Sequence, residues 1–524
     1  MSLSDRRRRL RSRRRTRRAR RRFDFVLRQP GLDLLPVRGE LLPGYVETVD
    51  DPSEGNLAIV LEVARAANVE VTAVPSSDLE KTLIAIDERN RSSLIAELLA
   101  RARCEPLFAK LRGSPPQPLS EIGSQLEACQ AVTVFVYRRD AKTRFVQGAR
   151  FGCRIAFASR SDERWSIVVN NRVATSVPED QLERVPTTVL GHRLQTFRPL
   201  AEVVPATSVT FPIDVVYTWV DTDDPEWRLA REQAATRNPG LTLHAAGSSR
   251  FTSRDELRFS LRSLAKFAPW VRTIYLVTAN QWPTWLSDHP QLKLVPHEEI
   301  FPNPADLPTF NSHAIEANLH RIDGLSEQFL YLNDDVYFGR PVAPETFFEA
   351  SGLPRVFLSR NHLDLGPPRA DEPAVMSAGK RNRDLLEAAT GRTITQKLLH
   401  APHPVRRSVM KELEGRFSDE FALTRSARFR SPTDISPIAL HAHYSLVTDR
   451  AATGSLAYGY LDSSWSDFGQ RLRRWARQRD WDALCINDST ADEPELVAAW
   501  RTARGVLVDV LPSAAGWEAA TVEP

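Results

Sequence analysis

The segment Tyr331-Leu-Asn333-Asp334-Asp335-Val-Tyr337-Phe338-Gly339 sets an acidic pair between apolar flanks. Adjacent carboxylates at the end of a hydrophobic strand repel one another, and burying them unpaired is costly. A divalent cation resolves the conflict. Mg2+ or Mn2+ takes one or two carboxylates and keeps its other positions for water and substrate phosphate oxygens. The bland alternative is an ordinary Asx turn.

A second group begins at Asp214-Val-Val-Tyr-Thr-Trp219-Val-Asp221-Thr-Asp223-Asp224-Pro-Glu-Trp227, where a hydrophobic strand runs into four carboxylates. A nucleotide would lie at such a strand end, with an aromatic beside it to stack on the base. A solvated acidic turn explains the same residues equally well. Arg254-Asp255-Glu256-Leu257-Arg258 opens a helix: the acids suit its positive N-terminal end, and the arginines are available to phosphates. Further on come His400-Ala-Pro-His403, Arg428-Phe-Arg430 and His441-Ala-His443. Histidine is suited to taking a proton from a sugar hydroxyl near neutral pH. Cys485-Ile-Asn487-Asp488 is a short apolar segment ending in two polar residues, and alone it is a weak signal.

These groups need elements to position them. Ile213–Trp219, Thr273–Thr278, Gln291–Pro296 and Phe329–Leu332 read as buried strands, and Arg254–Phe267 and Ser312–Arg321 as helices between them. That alternation implies a mainly parallel wound sheet with ligands outside the strand carboxyl ends. Earlier, Asn56–Val63, Val71–Val74, Ala131–Tyr137, Cys153–Ala158 and Trp165–Val169 read as extended, with a helix over Ser92–Ala102. The later region is helix-rich, with a Pro-rich loop or lid around 367–373 and a frayed end after Pro512. The expected fold class is α/β: a Rossmann-like (GT-A-like) wound mixed sheet with helical C-terminal additions and a small α+β N-terminal domain. Expected boundaries are a disordered Arg-rich tail over 1–22, an α+β domain over 45–205, an α/β core over 211–345 and a helix-rich part over 346–510.

A chain of 524 residues is long enough for two or three domains. Residues 1–22 hold thirteen arginines and one aspartate, so the net charge of +4 comes from a tail of +12 and a remainder of −8. The tail suits an anionic lipid surface. No aromatic interleaving or recognition fold supports nucleic-acid binding. Four widely spaced cysteines (Cys104, Cys129, Cys153, Cys485) make neither a zinc cluster nor a disulfide framework and favour a reducing compartment. No run reaches the roughly 20 apolar residues of a membrane span, and no secretory h-region opens the chain. A cytoplasmic enzyme, held peripherally at the inner membrane face by its tail, is the expectation.

In this order, the blocks IDVVYTWVDTDDPEW, SRDELRFSLRSLAKFAPWVRTIYLVT, LPTFNSHAIEANLHRI, FLYLNDDVYFGRPV, the stretch from His400 to about His443, and CIND at 485–488 resemble the Stealth family of hexose-1-phosphotransferases. The resemblance covers roughly residues 211–490 and leaves the first 200 residues outside. It implies that Asp334 and Asp335 hold a divalent metal on a diphosphate, with Asn333 beside them. It implies that the strand end from Asp214 through Trp219 to Asp221 cradles the nucleotide of a UDP-sugar, and that Arg254 positions it. It also implies that Asn311, His313 and Glu316 face the donor or metal from one helix. His400 and Arg430 match the family's catalytic histidine and arginine, with His403 in reserve as the base.

The implied reaction moves a sugar-1-phosphate from a UDP-sugar such as UDP-GlcNAc to a saccharide hydroxyl and releases UMP, in capsule, cell-wall or exopolysaccharide synthesis. The alternative is a metal-dependent GT-A-type glycosyltransferase that attacks the anomeric carbon and releases UDP. The residues do not name the sugar, the acceptor or the oligomeric state, a homo-oligomer included, and do not separate a polymerase from a single transferase.

Overall fold

A computed structural model describes residues 14–24, 27–48, 51–237, 254–369, 371–488 and 494–519. The chain divides into two compact units, Met1–Ala206 with Ala476–Gln478, and Thr207–Trp475 with Arg479–Pro524.

In the first unit a ten-stranded mixed sheet has Thr82–Asp87, Cys153–Arg160 and Ala131–Val136 at its centre. The middle pair is parallel and the next antiparallel. Helices Pro52–Ala66 and Arg91–Arg101 cover this sheet with Leu57, Val60, Val63, Leu94 and Leu98 in one apolar core. The extended reading of Asn56–Val63 is therefore corrected to helix. Asp51 caps Ser53 N at 2.8 Å, Pro52 stands in the first turn, and Leu57, Val60, Val63 and Ala64 recur at helical spacing. Residues 1–13 of the Arg-rich tail lie outside the described residues. Residues 14–22, expected to be disordered, are helical. Arginine is a good helix former, and Arg22 pairs with Glu121 at 2.6 Å.

The second unit is built on strands β1 (Ile213–Thr218), β2 (Ile274–Thr278), β3 (Leu292–Pro296) and β4 (Gln328–Asn333), followed by β5 (Val336–Phe338) and β6 (His403–Arg406). The main sheet runs β3-β2-β1-β4-β6, with the first four parallel and β6 antiparallel. Side chains of β1 and β2 are buried on both faces, as parallel strands under helices must be. Strand order reverses between β1 and β4, the point at which a wound sheet opens a crevice at its carboxyl edge.

Helix α1 (Pro225–Thr236) follows β1, and α2 (Glu256–Phe267) precedes β2. Leu257, Leu261 and Leu264 of α2 are buried. Each such leucine stabilises by about 1.5–3 kcal/mol relative to exposure. The short helix α3 (Ser312–Glu316) precedes β4, and α4 (Pro437–Val447) follows β6. Strands β7 (Tyr458–Asp462) and β8 (Ala483–Asn487) form a second sheet with β5, in the order β5-β8-β7. The last helix, α5, spans Pro494–Val510. The end after Pro512 is not frayed over its described part: Trp517 is buried, and Glu518 pairs with Arg258 at 2.9 Å and Arg262 at 2.6 Å. Among the described residues no helix is long and apolar enough to cross a membrane, and the four cysteines are free.

Candidate active site

β1 and β4 pair in parallel up to Thr218 opposite Asn333, so their carboxyl ends open side by side. The chain leaves β4 through Asp334-Asp335 and enters β5, crossing from the main sheet to the second one. The acidic pair thus sits on the turn joining two sheets. β6 runs antiparallel to β4 with His403 opposite Tyr331, so three residues upstream of His403 the chain passes the carboxyl end of β4. There stands His400. Its Nε2 lies 3.2 Å from Asp335 Oδ1 and 3.1 Å from Asn333 Nδ2. From the other side, β8 pairs Cys485 opposite Val336, and the Cys485 thiol donates to Asp335 Oδ2 at 3.4 Å.

Asn333, Asp334, Asp335 and His400 line a cleft of about 340 Å3. Its walls also carry Arg430, Arg254, Glu256, Asp488 and the aromatic residues Trp219, Trp227 and Trp500. Arg430 donates to Ser312 Oγ at 2.6 Å. Arg254 pairs with Asp488, which accepts from Ser463 Oγ at 3.0 Å, and the guanidinium lies 5.2 Å over the Trp500 ring. Glu256 is buried in the first turn of α2 and accepts from the Arg254 backbone N–H. Asp255 before it has φ +67, a left-handed conformation that aspartate tolerates better than most residues.

Burial pushes the Glu256 carboxyl up to about 7, with Arg254 opposing and the negative charge of Asp335 adding to the rise. Burial also drives Asp334 well above the usual carboxylate range, reinforced by Glu256 and Asp335. Burial opposes the charged form of His400, but the charge and hydrogen bond of Asp335 outweigh it and leave the imidazole more basic than usual. His403 is pushed down to about 3, by burial first and then by His400 and His443. Burial likewise lowers Arg430 and raises Glu316.

Several predicted residues stand elsewhere. Asp214 begins β1, at the end opposite the cleft; it is fully buried, accepts from Arg272 Nε at 2.8 Å and takes Ser326 N at 2.7 Å. It ties β1 to Arg272 and Ser326 and does not line the cleft. Asp221 does not line the cleft: its Oδ1 accepts from Asp223 N at 2.9 Å. Asp224 caps α1 through Glu226 N at 2.9 Å. The acidic turn is thus largely a turn and a helix cap, while Trp219 does line the cleft. On α3 the cleft face is Ser312 and Ile315, one helical turn apart. His313 and Glu316 occupy the neighbouring face and are buried, with His313 Nδ1 3.5 Å from Asp434. Asn311 caps α3 at His313 N, 3.1 Å, and donates to Asp434 at 2.8 Å. These three support the arginine-bearing loop from behind. His403 stacks against Tyr331 in the sheet, centroids 6.5 Å apart, away from the cleft lining.

Among the lining residues that the sequence reading undervalues are Glu256, Ser312, Asp488 and Trp500. Glu256 read as a partner of the helix N-terminus, and no periodicity marks Trp500 as anything but core. CIND was the one pointer to Asp488.

The ligand atoms of Asp335, His400 and Cys485 lie within 4.8 Å of one another. Burial raises the Cys485 thiol well above its ordinary value, and Asp335 reinforces this. The carboxylates Asp334, Asp335 and Glu256 line the same cleft, and the charges of Glu256 and Asp335 add to the rise of Asp334; carboxylate oxygens are the ligands a hard divalent cation takes.

A wound α/β sheet with carboxylates, a histidine and two arginines gathered outside its switch point defines an enzyme that handles a phosphorylated ligand. Residues 211–239 match Stealth protein CR1 (conserved region 1), residues 250–356 CR2 (conserved region 2), and residues 399–446 CR3 (conserved region 3). The exopolysaccharide phosphotransferase SCO6023 of Streptomyces coelicolor is 40% identical, the match covering 84% of this chain and 78% of that protein. The exopolysaccharide phosphotransferase CpsY of Mycobacterium leprae is 35% identical over 84% of this chain and 82% of its own. The chain belongs to the Stealth family, and it is a phosphotransferase. A match over 84% is more than residues 211–490 can hold, so the likeness reaches into the first unit, which the sequence reading had left outside it. The crystal structure of the galactosyltransferase LgtC with donor and acceptor sugar analogs overlaps 58% of this chain and 96% of its own, at a TM-score of 0.29 and 10% identity, too loosely to bear on function.

Proposed function

We propose that the cleft transfers a sugar-1-phosphate from a UDP-sugar to a saccharide hydroxyl and releases UMP. The contact between His400 Nε2 and Asp335 Oδ1 beside the acidic turn carries this reading. In the neutral imidazole the single Nε2 lone pair is the site that takes the hydroxyl proton, Asn333 Nδ2 giving way to the acceptor; once protonated, Nε2–H donates to Asp335. The acceptor hydroxyl gives its proton to Nε2 as its oxygen bonds to the β-phosphorus. The bond from that phosphorus to the bridging oxygen breaks, and UMP departs with the electron pair. General-base help of this kind contributes about 10²–10⁴-fold.

Arg430, anchored on Ser312, and Arg254, braced by Asp488 and Trp500, place fixed positive charge where phosphoryl oxygens gain negative charge. Trp219 would stack on the uracil. Asp334 and Asp335, with Glu256 in the same lining, would hold Mg2+ or Mn2+, which would supply a Lewis acid to the diphosphate oxygens. The names of the curated relatives support a polysaccharide acceptor. The Arg-rich N-terminus would hold the enzyme at an anionic membrane surface.

The test is the nucleotide product. Purified protein is incubated with a panel of UDP-sugars and Mg2+, and released nucleotide is read by mass spectrometry. UMP is expected; UDP would identify glycosyl transfer instead.

A further inference from the structure

Among the described residues, the exposed large apolar side chains are scattered aliphatics with two aromatic exceptions, Tyr460 and Trp465, each 39% exposed. These two touch, with ring centroids 6.0 Å apart and planes inclined at 60°. An exposed aromatic pair gives up hydration without a core to bury it, and so marks a binding surface more than a folding requirement.

The pair stands on and just after β7, the strand next to β8, whose Asn487 and following Asp488 line the cleft. Along β7, Tyr458 and Tyr460 share one face and Gly459 holds the other. A Cβ on Gly459 would meet the Trp481 ring at 1.9 Å, so that other face is closed by packing. Tyr460 is register-paired in parallel with Cys485, whose thiol reaches Asp335. Tyr458 donates its hydroxyl to the His400 carbonyl at 2.7 Å. The turn that carries Trp465 is tied to the cleft wall by Asn487 Nδ2 donating to Asp462 at 2.8 Å, and by Ser463 donating to Asp488 at 3.0 Å. Arg471, paired with Asp467 at 2.7 Å, lies 5.2 Å over Trp465 and fixes the indole.

We infer that Tyr460 and Trp465 form a stacking platform for pyranose rings of the acceptor saccharide, leading its terminal hydroxyl to His400. This rests on the reading of His400 as the base that faces the acceptor. Sugar rings present C–H faces that pack on aromatic π-faces, and their rim hydroxyls suit the polar cleft side chains nearest the pair, Asn487 and Asp488.

Affinity electrophoresis tests it: the full chain is run through native gels cast with dextran, soluble starch or galactomannan. Retardation of the wild type is expected in at least one gel. Tyr460→Ala and Trp465→Ala should each weaken it at least tenfold, while Trp465→Phe should keep most of it. Circular dichroism confirms that each variant is folded. Asp335→Asn, which removes the proposed chemistry, should be retarded like the wild type, so failure of the phosphotransferase reading leaves this result standing. A wild type unretarded in every gel, or alanine variants retarded as strongly as the wild type, would overturn the platform.

Discussion

Asp335 bonds two elements distant in sequence: one carboxylate oxygen lies 3.2 Å from His400 Nε2, and the other accepts from Cys485 at 3.4 Å. One side chain therefore meets the His400 imidazole, answers the second sheet and stands in the acidic turn. A residue with three duties at a cleft is a sharp target for mutation.

Asp335→Ala should lower transfer by at least 10³-fold with the fold intact, since it removes the proposed metal ligand and the carboxylate that meets the His400 imidazole. EDTA should abolish wild-type turnover, and added Mg2+ should restore it. The check is a turnover assay beside a thermal melt. Substantial EDTA-insensitive turnover in the variant would remove the metal from the scheme.

His400→Ala and His403→Gln should behave differently. The first should lower kcat by about 10²–10⁴-fold with little change in stability. The second removes a ring stacked on Tyr331 in the sheet, so it should lower the melting temperature and leave kcat within a few-fold. A catalytic collapse in His403→Gln alone would reassign the base.

Arg254→Lys keeps the charge but loses the planar fork that meets Asp488 and lies over Trp500. A rise of about tenfold in the KM for the donor is expected, larger than the change in kcat. Asp488→Asn should show the same pattern more weakly, because it frees Arg254 without removing it.

His297 is buried at 2% exposure, and burial holds its pKa at about 4 against 6.5 unperturbed. In the unfolded chain it takes up a proton as pH falls through 6.5, while the folded chain does not until about 4. Stability is thus full above 6.5 and declines between 6.5 and 4. His297→Phe should flatten part of that decline in urea melts at pH 7 and pH 5; an unchanged slope would exclude His297 from the effect.

Glu518→Ala strips Arg258 and Arg262 of a buried carboxylate partner. Loss of charge-assisted hydrogen bonds of this kind costs about 1.5–3 kcal/mol. A melting temperature lower by several degrees is expected, with the active-site contacts untouched.

The sequence by itself determined the strands of the switch point, because apolar runs such as IDVVY and FLYL can be satisfied only by burial on both faces. It also determined the acidic pair and the amphipathic α2, whose signals are local in the chain. Which polar groups share the cleft was decided by tertiary structure. Asp214 and Asp221 look alike in one dimension, yet the first lies in β1 at the end away from the cleft and the second is taken up in a turn. His313 and Ser312 are neighbours in sequence, but a helix turns successive residues by about 100°, and only Ser312 faces the cleft. Cys485 and Asp488 reach Asp335 and Arg254 through strand pairing over about 150 and 230 residues, contacts that no local pattern encodes.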